Sequence, residues 1–265
     1  MILSIQHTTR YTYDSPVPYA LQQLRVTPQS RGGQNVQDWN VLVKGGERIL
    51  GFDDQHGNAV DLIAFHHNTT EITVQCEGRV VVNQTNGVAG QHEGLVPIWV
   101  YLRSNDVTKA GARVRKLVSG VDGARGTIEW LHSLSTAIRS AVRYKTGGSE
   151  VGWTAEQALD AGHGVCQDHS HVFISCCRHA GLPARYISGY LMMNDRVEQD
   201  ATHAWAEAHI DGLGWVGFDV SNGISPDTRY VRVATGLDYT EAAPVSGTRF
   251  GDTKESLSVQ VQVQQ

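Results

Sequence analysis

The sequence predicts an α+β protein in which an antiparallel β module precedes a core of helix packed on antiparallel sheet. Three observations carry that reading. Polar and apolar residues alternate through much of the first 84 positions, the period of two that suits strands. Beyond a polar, glycine-rich stretch at 83–94, apolar residues recur at helical spacing. The period then returns to two in "ARYISGYLM" and in "HAWAEAHIDGLGWVGFDV", the latter broken by a glycine turn. The chain is accordingly divided into an N-terminal β module over 1–84 and a core with a C-terminal β tail over 95–265.

The elements follow in order. Alternation from Ile2 to Tyr13 favours a strand, interrupted at Ser15-Pro16-Val17-Pro18, with shorter strand pieces expected at Leu21–Thr27 and Trp39–Val43. His56-Gly57-Asn58 marks a turn into another strand, and "TEITVQCEGRVVVN" supplies one or two more. Asn83–Gly94 reads as a linker. Ile128, Leu131, Leu134, Ile138 and Val142 then repeat at helical spacing behind Thr127, a suitable N-cap. Thr154 and Gln157 have the spacing of a capping box for a short helix that ends near Ala161, before Gly162-His163-Gly164. A further helix starts at about Cys166, buries Val172, Ile174, Cys176, Cys177 and Ala180, and stops at Gly181. Asp211-Gly212-Leu213-Gly214 joins two strands, and Leu257, Val259, Val261 and Val263 share one face of a last one.

Composition excludes several classes. A net charge of −5 offers no broad basic surface, so nucleic acid is not an expected partner. No run of about eighteen apolar residues is present, so no membrane span is expected. The start "MILSIQHTTRYTYD" alternates where a signal peptide would place a basic segment and then an apolar one. The four cysteines, Cys76, Cys166, Cys176 and Cys177, lack the spacing of a secreted disulfide framework. A cytoplasmic protein is the expectation.

The segment "GHGVCQDHSH" poses the chemical question, because it suits either a metal or a nucleophile. His163, Cys166 and His169, with His171 and His179 near, offer nitrogen and sulfur ligands for zinc. One helix face, however, presents ligands only three or four residues apart, and His169 with His171 break that spacing. No metal is therefore expected, and His171 reads better as a core histidine. A nucleophilic reading needs a thiolate, which a helix N-terminus and a nearby imidazole both favour. Cys166 has the first, and His203 offers the second 37 positions on (203 − 166). If the strands pair through the turn at 211–214, Asp219 comes beside His203 and accepts its ring N–H. Asp168 reads as a capping group of its own helix, Cys76, Cys176 and Cys177 as core, and the basic runs at 113–116 and 137–145 as solvated helix faces.

"GHGVCQDHSHVFISCCRHAGLPARYISGYL", "THAWAEAHIDGLGWVGFDVSNG" and the N-terminal "HTTRYTYDSPVPYALQQLRVTP" together resemble the bacterial transglutaminase-like superfamily, in the subgroup with an N-terminal β-region ahead of a papain-like core. The resemblance extends to "RVATGLDYTEAAPVSGTRFG". It implies Cys166 as nucleophile, His203 as base and acid, and Asp219 as orienting acid. Two departures are visible: His169 stands where the family often has an aromatic residue, and Asp219-Val220-Ser221-Asn222 replaces the frequent Asp-Pro-Thr-Asn. The expected chemistry is acyl transfer from a peptide or protein amide through a thioester, without a cofactor. Oxyanion donors are sought in the Cys166 backbone N–H and in the side chains of Tyr144 or Trp153. Hydrolysis is favoured over cross-linking of glutamine to amines, because no amine-binding surface is evident. A non-catalytic binding or scaffold module and a metal-binding protein are the readings from other classes.

Overall fold

The computed structural model describes residues 1–265. Its strands and helices run β1 (Ile2–Val17), β2 (Tyr19–Thr27), β3 (Gln34–Lys44), β4 (Gly46–Asp53), β5 (Ala59–Phe65), β6 (Thr69–Val82), β7 (Val88–Gly90), α1 (Ala112–Ser119), α2 (Ile128–Ala141), β8 (Arg143–Tyr144), α3 (Ala155–Ala161), β9 (His163–Gly164) and α4 (Cys166–His179). Then come β10 (Ala184–Leu191), β11 (Glu198–Gln199), β12 (His203–Ile210), β13 (Gly214–Phe218), β14 (Tyr230–Gly236), α5 (Tyr239–Ala242), β15 (Val245–Phe250) and β16 (Glu255–Gln264). The α+β class is observed. No helix is long and apolar enough to cross a membrane.

Alternation explains the N-terminal sheets. From Ile2 to Arg10 in β1 and along β2 every second residue is buried, including Leu3, Ile5, Leu24 and Val26, and the interleaved residues are half-buried or exposed. A five-stranded sheet, ordered β11-β16-β1-β6-β3, lies across from a four-stranded one, β15-β2-β5-β4. Tyr13, Leu24, Ile63, Phe65, Ile72 and Val74 fill the space between them.

The tail belongs to these sheets. β15 pairs with β2, and β16 pairs with β1 over ten residues, from Ser4 opposite Gln264 to Tyr13 opposite Glu255. The final strand is present as its alternation requires, but its partner is the first strand of the chain and not the core sheet. Val261 and Val263 are buried with Leu3, Ile5 and Val80, whereas Leu257 faces solvent. Within the expected linker, Val88–Gly90 forms β7 and adds an edge to the core sheet beside β13.

The core sheet is antiparallel, in the order β14-β10-β12-β13-β7. One face packs on α4 through Ala184, Tyr186, Ala206, Ala208 and Phe218. The other face meets the N-terminal module through Tyr190, Val231 and Val233. α4 is therefore buried almost all round, and that fixes where its first residue sits.

Local signals account for the helix ends. Thr127 Oγ1 accepts from the Trp130 N–H at 3.2 Å. Thr154 and Gln157 complete a reciprocal capping box at 3.2 and 2.8 Å, so two otherwise unpaired N–H groups at the start of α3 are satisfied. Gly162 ends α3 in the left-handed region, φ 67°, a conformation glycine adopts without a Cβ clash.

Candidate active site

Cys166 is the first residue of α4, preceded by Val165 in extended conformation. The first-turn N–H groups of a helix lack intrahelical partners and carry partial positive charge, so the thiol sits at an electropositive end. Val165 has no side-chain oxygen to cap that end. Asp168 caps it instead, accepting from the Val165 N–H and the Ser149 hydroxyl at 2.7 Å each. This is the capping role its position suggested. A Cβ at Gly164 would stand 2.7 Å from the Asp168 side chain, so only glycine allows the close return of the chain before the cysteine.

His203 opens β12, and the hairpin to β13 sets Ala206 opposite Phe218. Asp219 follows β13 directly. His203 donates its Nε2–H to Asp219 Oδ2 at 2.7 Å, and both residues are buried. That bond leaves Nδ1 as the free ring nitrogen, and Cys166 lies near enough to the imidazole to raise its pKa. The hairpin thus sets Asp219 beside His203, with Cys166 near the imidazole.

Burial alone would discharge His203. The Asp219 charge and hydrogen bond, followed by those of Cys166, outweigh it and raise the imidazole pKa from 6.5 to about 10. Burial would likewise push the Asp219 carboxyl up, but His203, Asn222 and Tyr230 hold it below its ordinary value. Asp219 Oδ2 accepts three hydrogen bonds of 2.7 Å, from His203, the Asn222 amide and the Tyr230 hydroxyl. Oδ1 accepts the Asn222 backbone N–H at 3.2 Å.

The thiols differ sharply in setting. Cys166 is partly accessible, whereas Cys76, Cys176 and Cys177 are buried. Burial raises the Cys76 pKa to about 12 and raises those of Cys176 and Cys177 as well.

The neighbouring histidines point to separate partners. His169 donates Nε2–H to the Val142 carbonyl and accepts the Ser221 hydroxyl at Nδ1, both at 2.8 Å, which assigns its neutral tautomer. Burial lowers its pKa and favours that neutral form. The two departures from the family pattern, at 169 and 221, therefore meet each other as one hydrogen-bonded pair. His163 lies against the carbonyls of Ala161 and Gly148, and His171 Nε2 accepts from the Tyr239 N–H at 3.2 Å. No three His, Cys, Asp or Glu side chains are grouped to hold a metal ion.

Tyr144 stands on β8, which runs beside Gly164, so its half-exposed ring faces His169 at 6.1 Å. Burial, then the nearby Cys166 and Asp219, raise its hydroxyl pKa to about 12. Trp153 packs on His163 at 5.7 Å.

Three neighbours of the dyad were not singled out from sequence. Trp205 stacks on His203, with ring centroids 6.3 Å apart. It lies two residues on, and strand alternation carried that signal. Asn222 sits in the turn after Asp219, within the motif already quoted. Tyr230 comes from β14, an element joined to the site through β10, and no local pattern points to it.

Two family models match the chain. One, described as the transglutaminase-like superfamily, matches residues 115–220, and the other, the bacterial transglutaminase-like N-terminal region, matches residues 3–81. The chain carries a bacterial transglutaminase-like N-terminal region and a transglutaminase-like core. The first match contains Cys166, His203 and Asp219. The chain is 26% identical to uncharacterized protein ML0607 of Mycobacterium leprae over 98% of both chains. It is 34% identical to uncharacterized protein Mb2599c of Mycobacterium bovis, over 50% of this chain and 46% of that one. Among solved structures, a proposed cysteine protease from Cytophaga hutchinsonii shares the transglutaminase-like fold, with a TM-score of 0.79 and 21% identity over 100% of this chain and 90% of that one.

Proposed function

We propose that Cys166, His203 and Asp219 act together in cysteine-dependent acyl transfer, and that the reaction is hydrolysis of a peptide or other amide bond. The observation that carries the reading is the placement of one accessible thiol at a helix N-terminus, beside an imidazole held by a buried carboxylate. The cysteine protease description of the Cytophaga structural neighbour agrees with it. Four free thiols suit a reducing compartment, in keeping with a cytoplasmic location.

The chemistry follows from the geometry. An imidazolium at Nδ1 stabilises a thiolate beside it. The Cys166 sulfur attacks the amide carbonyl carbon, and the C–O π pair moves onto oxygen. The Cys166 backbone N–H, free at the helix start, and the Tyr144 hydroxyl are the donors assigned to that oxyanion. As the tetrahedral intermediate collapses, the C–N bond breaks and His203 delivers its Nδ1 proton to the departing amine. Water then loses a proton to His203 and attacks the thioester carbonyl, releasing the acid and restoring the thiolate. Asp219 stays ionised throughout and fixes the ring so that Nδ1 faces sulfur.

Limiting iodoacetamide, followed by peptide mapping, is expected to label Cys166 ahead of the three buried thiols, and Cys166→Ala to abolish turnover while the protein stays folded. Preferential labelling of Cys176 or Cys177, or an active Cys166→Ala, overturns the assignment. Product analysis of a glutamine-containing peptide, with and without a lysine analogue at millimolar concentration, tests the hydrolytic half. Free acid is the expected main product. Saturable, amine-dependent product with little hydrolysis means that an oriented amine site exists, and the reaction is then cross-linking.

A further inference from the structure

Tyr230 reaches Asp219 from β14, a strand that does not neighbour β13 in the sheet. Its hydroxyl donates to Asp219 Oδ2 at 2.7 Å, the same oxygen that holds His203. Tyr230 is buried and cannot easily turn away, because its ring meets Trp205 edge-on at 5.5 Å and lies 6.0 Å from the His203 ring. Burial and Asp219 both raise the phenol pKa, so it remains a proton donor in this bond at all working pH.

We infer that Tyr230 is a positioning residue that tunes the acid strength of His203 by competing with it for Asp219 Oδ2. The inference rests on the proposed roles of Cys166, His203 and Asp219. A carboxylate oxygen has two lone pairs, and three donors at one oxygen each weaken the others. Charge drawn toward the phenol is unavailable to the imidazolium, so the Nδ1 proton is released more readily to the leaving amine. Removing the phenol concentrates the carboxylate charge on His203, which becomes a weaker acid. The groups that bear on this balance are Cys166 and His169 from α4, Tyr144 from β8, and Asp227 with Arg229 ahead of β14. Asp227 and Arg229 form an ion pair of 2.6 Å and largely cancel. None of the others competes for Oδ2.

The test is Tyr230→Phe, which removes one oxygen and keeps the ring stack. A hydrogen bond to a charged group is worth roughly one pH unit of titration when lost, so the alkaline limb of Cys166 alkylation should move up by about that much or less. kcat is expected to fall several-fold with KM unchanged. Replacing Tyr230 by 3,5-difluorotyrosine, a stronger donor of nearly the same shape, should move the limb the other way. His203 can also be titrated by NMR in Cys166→Ala, with and without Tyr230→Phe, which reads the same balance without turnover. Unmoved titrations in both substituted proteins overturn the inference. An active Cys166→Ala would instead remove the reading of the site on which it rests, so the two failures are distinct.

Discussion

Asp219→Asn is the substitution that most directly tests how His203 keeps its charge. The rise from 6.5 to about 10 corresponds to roughly 5 kcal/mol of preference for the imidazolium, at about 1.4 kcal/mol per pH unit. Asp219 is the larger contributor ahead of Cys166, and burial acts against both. With an amide at 219 the charge is gone while the burial remains, so the folded-state pKa should drop to 6.5 or below. At pH 8 the ring would then be neutral in almost every molecule. The amide also offers both N–H and C=O to Nε2, so the tautomer with Nδ1–H toward sulfur is no longer enforced. The same exchange in a serine triad costs about 10⁴ in turnover. A loss of roughly 10²- to 10⁴-fold is expected here. The assay is the rate of Cys166 carboxamidomethylation from pH 5 to 10, beside turnover on any active amide substrate. Wild type should show the His203 titration as a bend in that rate near pH 10, whereas in Asp219→Asn the bend should move to pH 6.5 or below. Superimposable profiles for the two proteins would refute the argument, because the charge on His203 would then owe nothing to Asp219.

Two further outcomes follow from the same contacts. His203 titrates at 6.5 when unfolded and at about 10 when folded, so its stabilising contribution is complete below pH 6.5 and is lost as pH rises through 10; thermal melts across that window should lose more Tm in wild type than in Asp219→Asn, and parallel curves would contradict it. The His169–Ser221 hydrogen bond should couple the two sites, so a double-mutant cycle of His169→Phe and Ser221→Ala is expected to give an interaction of about 0.5 to 1.5 kcal/mol in urea melts, with simple additivity the contrary result.

The site was legible wherever its geometry is local. Gly162-His163-Gly164 announces a sharp return before a helix, and the helix start then places Cys166. The turn at 211–214 fixes the hairpin, and the hairpin brings Asp219 to His203. Asp168 could be assigned to its cap for the same reason. Tyr230 could not, because its approach depends on β14 pairing with β10, a register that no short pattern encodes. The fold shows the same division. Alternation in β1, β2 and β16 reveals which residues face inward, yet it is silent on which strand lies alongside, so the tail's pairing with β1 is a tertiary fact. β4 carries no strand signal, because it is an edge strand exposed on both faces after Gly46, and Ile49 and Leu50 break any alternation. β7 has only three residues, too few for a period to show.

The pairing of β1 with β16 bears on how the protein is made. Residues 2–17 are synthesised well before residues 255–264, and only when the latter appear can the strand acquire its second neighbour. Until then the sheet has an open edge at β1, with Leu3 and Ile5 lacking the cover of Val261 and Val263. Closure over so long a separation in sequence is a slow step, and it leaves a nascent chain with a sticky edge until β16 is made. A premature stop near residue 254 would spare every residue of the candidate site and still release a product prone to edge-to-edge association.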